Sequence, residues 1–235
     1  MEFSIYLLLV LIEYVLLVST AAPFILVNRF TKTPSVGIAV WFTLFFTAMA
    51  AAVLAVGIAV WSIVETYLLL QTKTDIWVIL AVSFAPWLLL AFAGILLALS
   101  NQRLEPLFRA AKEFDQLALL ARREVEAFHR AKVYELEIPG FIALTKGYQI
   151  YLSKAVFELP EPQLNAVLWH EYGHIRLGHQ RLKRITHLMM QLTPWFVVSK
   201  AFNAEVARLC ETSADKYALK RVYSKDLAEA RAHFS

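Results

Sequence analysis

Only seven charged residues fall in the first 100 positions of this 235-residue chain (Glu2, Glu13, Arg29, Lys32, Glu65, Lys73 and Asp75), against 35 in the remainder. A segment this long and this poor in charge has too little polar surface to face water. It divides into three apolar runs, Phe3 to Val27, Val36 to Val64 and Ile76 to Leu99, each longer than the roughly 20 residues needed to cross a bilayer as a helix. The overall hydrophobic content of 59% exceeds the roughly 45–50% of an ordinary soluble domain, and the excess lies in these runs. We therefore expect a transmembrane helical region over residues 1-100 and a water-facing, membrane-proximal domain over residues 101-235.

The short loops set an orientation. Asn28 to Ser35 carries Arg29 and Lys32, whereas Glu65 to Asp75 carries only Lys73, so the first loop is expected inside and the N-terminus outside. Three crossings then place everything after Ser100 in the cytoplasm, and the expected location is a prokaryotic plasma membrane. The start Met1-Glu2 lacks the basic residues of a secretory signal, so the first run is read as a retained helix. Glu13 sits in mid-span, where an ionisable group calls for an internal partner or a site. Pro86 should bend the third span.

The formal charge of +4 divides as −1 over residues 1–100 and +5 over the remainder. Anionic lipid headgroups explain a modest basic excess beside a membrane, and no basic stripe with interleaved aromatics points to nucleic acid. Cys210 is the single cysteine, which excludes an intrachain disulfide and fits a small apolar residue on a buried helix face.

Within the charged part, Asn101 to Arg130 spaces its apolar residues as an amphipathic helix would. Val133 to Ile138, Phe141 to Leu144 and Tyr148 to Leu152 are short β-prone runs separated by Pro139-Gly140 and Lys146-Gly147, as in a hairpin or three-stranded sheet. A helix is expected from Pro160 to about Leu182. Ile185 to Asn203 is apolar around Pro194, and Ala204 to Lys220 reads as a last helix.

The chemistry centres on His170-Glu171-Tyr172-Gly173-His174. Residues four apart share a helix face, so the two imidazoles can hold one metal ion with Glu171 beside it as a base that activates water. Zinc suits imidazole and carboxylate donors, and a catalytic site needs a third protein ligand with the fourth place left open. Glu211 offers that ligand, and Asp215, one turn later, can accept a hydrogen bond from a ligand histidine. His187 and Glu205 compete for the third position, while His179, five residues beyond His174, should turn away from the pair.

The HEYGH core, the lead-in Gln163 to Leu168 and the Glu-x-x-Ala-Asp segment at Glu211 to Asp215 together resemble the membrane gluzincins. That group includes HtpX-type heat-shock proteases, CAAX prenyl proteases and the peptidases of β-lactam sensor-transducers. Together with the apolar and β-prone runs this gives an expected mainly α membrane protein, about three transmembrane helices followed by an α+β zincin-like catalytic domain with a small antiparallel sheet. The resemblance implies one Zn2+ held by His170, His174 and Glu211, with Asp215 behind them. It also implies a polypeptide substrate that adds a strand along Phe141, Ile142, Ala143 and Leu144. The short interval from His174 to Glu211 is closer to the sensor-transducer branch, yet the loop Glu65 to Asp75 is too small for a sensor domain. Tyr217, Arg221 and His233 are equal candidates to stabilise the oxyanion.

Because His174 and Glu211 must meet at one ion, Ile185 to Asn203 should not span the bilayer but lie on it or dip into it. The expected function is endopeptidase cleavage of membrane or juxtamembrane proteins in quality control. A signalling peptidase acting on one repressor and a non-hydrolytic zinc-binding scaffold are the alternatives.

Overall fold

The computed structural model describes residues 2–70, 122–194 and 196–234. The third apolar run, Pro86 and the first part of the expected amphipathic helix lie outside the described residues. The rest falls into two compact units.

The first unit gathers α1 (Glu2–Leu26), most of α2 (Pro34–Leu70) and residues 189–202. Tyr6–Leu26 and Pro34–Trp61 are long and apolar enough to cross a membrane, in agreement with the first two expected runs. Val18, Trp41, Phe45 and Ala48 are buried. Thr47 gives its hydroxyl proton to the Thr43 carbonyl at 2.8 Å, so the Tyr14 hydroxyl is the donor in the 2.7 Å contact with Thr47. Phe202 stacks on Phe45 at 4.6 Å and meets Phe42 edge-on at 5.0 Å. Phe202, at the end of the apolar stretch that follows Pro194, therefore packs against α2. Glu13 is exposed among the described residues.

The second unit carries the sheet and the remaining helices. Arg122–Phe128 forms β1, which corrects the amphipathic-helix expectation for that stretch. Val125 and Phe128 stand three apart as on a helix, but pairing with β2 (Ala131–Leu136) makes the stretch a strand, with a bulge between Glu124 and Glu126. His129 turns the hairpin at φ 55. After Pro139-Gly140 the chain enters β3 (Ala143–Lys146), reverses at Gly147 and returns as β4 (Gln149–Ser153).

The strand order is β1-β2-β4-β3, with β2 and β4 parallel. The sheet is thus mixed, and the expectation of an antiparallel sheet is corrected. β4 is buried along almost its whole length, so the strand with most to bury takes the centre and β3 is left at the edge. Tyr134 stacks on Tyr151 on one face of the sheet. On the other, Val133, Ile150 and Leu152 pack with Val156, Val167, Tyr172 and Ala230.

A short turn of helix, α3 (Lys154–Phe157), leads to α4 (Glu161–Arg176). Pro160 precedes its first turn and Pro162 lies inside it, where the missing N–H groups leave no helical bond unmade. The expected helix to Leu182 stops early, because Gly178 takes a left-handed φ of 65 and its N–H caps Ile175, a helix ending that glycine alone adopts without steric penalty. α5 (His179–Leu192) follows. Past Pro194, α6 runs from Val197 to Ala218, starting earlier than the expected Ala204. α7 (Ser224–Ala232) is a further helix, which buries Leu227 and Ala230.

Candidate metal centre

α4 supplies His170, Glu171 and His174, and α6 supplies Glu211 and Asp215. Their spacing is set where the helices touch: a methyl group at Gly173 would lie only 3.3 Å from the Cα and carbonyl of Ala214. Two facing helices, each with polar residues four apart, bring four side chains to one spot.

The nitrogens His170 Nε2 and His174 Nε2 are 3.1 Å apart, and Glu211 Oε2 lies 3.3 Å from the first and 3.5 Å from the second. Tetrahedral zinc with nitrogen and oxygen donors at about 2.0–2.2 Å has its ligand atoms roughly 3.3–3.5 Å apart. The triangle therefore has the dimensions of one face of such a site, and the three donors form the metal-type cluster found among the described residues. His170 Nδ1 lies 2.9 Å from Asp215 Oδ1, so its N–H donates there and Nε2 is turned to the triangle. A convergence of acceptors at this range is repulsive unless a cation or proton sits among them.

The charges respond accordingly. Burial alone would lower the pKa of His170, but the hydrogen bond to Asp215, the contact with Glu211 and the charge of Glu171 outweigh it and raise it to about 9. Burial likewise works to raise the pKa of Glu211, and the bonds to His170, His174 and Lys183 more than offset it, holding the carboxyl well below its usual range. Glu171 is buried, and the Thr145 hydroxyl donates to its Oε2 at 2.5 Å. Thr145 lies on the edge strand β3, which thereby ties the sheet to the site.

Two hollows flank the donors. One, of about 430 Å³, is walled by Val167, Leu227, Ala230, Arg231 and Phe234. The other, of about 320 Å³, is walled by Leu144, Thr145, Gln180 and Lys183. Glu171, Glu211 and Ala143 border both. Ala143 and Leu144 of the expected substrate strand thus lie at the cleft, while Phe141 stacks on His233 at 4.8 Å.

The remaining candidates separate. Glu205 is buried and paired with Arg208 at 2.7 Å, and His187 is exposed. His179 does not turn away: its Nδ1 lies 2.9 Å from His174 Nδ1, and its ring is 1% exposed. The early end of α4 at Gly178 swings it back. Burial, followed by the charges of His174 and Lys183, lowers its pKa to about 3, which keeps the ring neutral. Arg221 stacks over Trp169 and Tyr217 at 4.4 and 4.3 Å, and among the cleft-lining residues the guanidinium is that of Arg231, 2.7 Å from Asp215 Oδ2. Sequence reading missed Thr145, Lys183 and Arg231, since none stands in the HEYGH or Glu-x-x-Ala-Asp run and each reaches the site from a different element. Cys210 is fully buried, and burial pushes its thiol up to about 11.

Two histidines one turn apart with a carboxylate from a second helix make the donor arrangement of the gluzincin metallopeptidases. The comparison with family models is more particular: residues 109–205 match Peptidase family M48, which supports a metallopeptidase of the HtpX and CAAX protease type. The match takes in the HEYGH helix and ends before Glu211. No curated protein matches the chain.

Proposed function

We propose that this chain is a membrane-anchored zinc endopeptidase, with His170, His174 and Glu211 as metal ligands and Glu171 as the general base. The observation that carries this reading is the donor triangle of 3.1, 3.3 and 3.5 Å with Glu171 bordering the same cleft. Two imidazoles and a carboxylate, with a neighbouring base and an open cleft, suit catalytic zinc better than a closed structural site. A bound zinc ion would supply Lewis acidity, polarising the scissile carbonyl and acidifying water. Glu171 takes the proton from water and returns it to the leaving amine. Thr145 holds one oxygen of that carboxylate in place, and Asp215 fixes the His170 ring with Nε2 inward. Arg231 brings positive charge to the cleft wall, where an anionic transition state develops.

The substrate adds as a strand beside β3, covering Phe141 to Leu144. Support comes from the strand order, in which no described strand pairs with the outer edge of β3. Membrane anchoring is supported by two apolar helices whose large side chains stay exposed, Phe24 at 90% and Trp61 at 64%, a surface suited to lipid. Substrates are then membrane or juxtamembrane segments, and the role is quality control.

Glu171→Gln should retain stoichiometric zinc and lose peptide hydrolysis by at least about 10²-fold. Unchanged activity would defeat the mechanism. The same variant, used as a trap in membranes, should capture many partly unfolded membrane proteins. One or two captured species would instead indicate a signalling peptidase.

A further inference from the structure

The helix that follows the HEYGH turn reaches two of the proposed ligands from behind. α5 is fixed at both sides: Gly147 N–H donates to Gln180 Oε1 at 2.8 Å, and the Thr186 hydroxyl donates to Asn203 Oδ1 at 3.0 Å. His179 and Lys183 lie four apart on this helix and so share a face. His179 Nδ1 meets His174 Nδ1, and Lys183 Nζ lies 2.5 Å from Glu211 Oε1. Glu211 thus turns Oε1 to the ammonium and Oε2 to the two imidazoles.

We propose that Lys183 is a positioning residue that restricts Glu211 to one-oxygen coordination, with His179 doing the matching work on His174. The proposal rests on His170, His174 and Glu211 being the metal ligands. A free carboxylate can chelate an ion through both oxygens, which occupies the place water needs. The ammonium removes that option by holding Oε1 in a charge-assisted hydrogen bond. On the other side, His174 must keep the Nε2 lone pair for the ion, so its proton sits on Nδ1 and donates to His179. A neutral ring can accept that bond at Nδ1 while keeping its own proton on Nε2. The two ligand histidines are therefore held differently, His170 by the Asp215 carboxylate and His174 by a neutral imidazole.

The test uses full-length chain in detergent, loaded with Co2+ as a spectroscopic probe. Lys183 is 39% exposed, so Lys183→Met removes the charge without opening the core. In that variant the visible d–d bands should lose intensity as Glu211 offers both oxygens and the coordination number rises, and Co2+ affinity should rise, since a second oxygen ligates and a neighbouring positive charge is gone. Lys183→Arg should restore both toward the parent values. Parental spectrum and affinity in Lys183→Met, or an arginine variant indistinguishable from the methionine one, would overturn the proposal and leave the zinc reading standing. Failure of the parent chain to bind Co2+ at one equivalent would overturn that reading itself.

Discussion

Gly173 sits where the two halves of the centre meet, which makes Gly173→Ala an informative perturbation. On helix propensity alone the change stabilises α4 by about 1 kcal/mol. The added methyl would lie 3.3 Å from Ala214 Cα, from the Ala214 carbonyl oxygen and from Tyr217 Cβ. Two of those three atoms are backbone, so no rotamer change relieves the contact and α4 must move from α6 by a few tenths of an ångström. Overpacking of this kind costs about 1–3 kcal/mol, so the net effect on stability is a loss of roughly 0–2 kcal/mol once propensity is included.

The consequence for the site is larger than for the fold. His170 and His174 ride on one helix and Glu211 on the other, so the 3.3 and 3.5 Å edges of the triangle lengthen while the 3.1 Å edge stays. Zinc binding measured by chelator competition should weaken by about 10-fold or more, a loss of the size seen when ligand support is disturbed, while thermal unfolding of the metal-free chain shifts by only a few degrees. A variant that is more stable than the parent and binds zinc equally well would refute the claim that this contact sets the spacing.

Thr145→Val keeps the shape of the edge strand but removes the hydrogen bond to Glu171 Oε2. It should lower kcat about 10-fold through the loss of roughly 1.4 kcal/mol of oriented hydrogen bonding. KM and zinc content should be unchanged, and a rise in KM alone would assign Thr145 to substrate binding instead. pH acts on the metal-free and metal-bound chains in opposite senses. The folded pKa of His170, about 9, lies above its ordinary 6.5, so its stabilising proton is fully present below about pH 6.5 and is lost as pH rises through 9. The metal-free chain should therefore unfold more readily on going from pH 6.5 to 9. Zinc must displace the same proton, so affinity should rise over that window by up to about tenfold per pH unit. Paired chelator titrations and thermal melts at several pH values check both, and a pH-independent affinity would show that His170 carries no proton to displace.

Much of the centre was legible because it is written in helical periods. His170 and His174, and likewise Glu211 and Asp215, are each one turn apart, and any helix puts such pairs on a common face. The apolar runs of α1 and α2 were equally readable, since length and hydropathy alone set that criterion. The sheet was less so. Three short β-prone runs in succession look like a meander, and nothing local says that β4 will insert between β2 and β3. That order follows from β4 having most apolar surface to bury, which is a comparison among strands. The strand at Arg122–Phe128 was hidden in a pattern that satisfies a helical period as well, and only pairing with β2 resolved it.

The sequence by itself determined the donor types, their spacing and the division between apolar helices and a charged domain, because these depend on periodicity and composition along the chain. The tertiary structure alone decided that Thr145 meets Glu171, that Lys183 meets Glu211, that Arg231 meets Asp215 and that His179 backs His174. These contacts join residues whose separation in sequence carries no period. They arise from the close approach of α4 and α6 at Gly173, the left-handed stop at Gly178 and the placement of β3 at the sheet edge, which are properties of packed elements and not of any one of them.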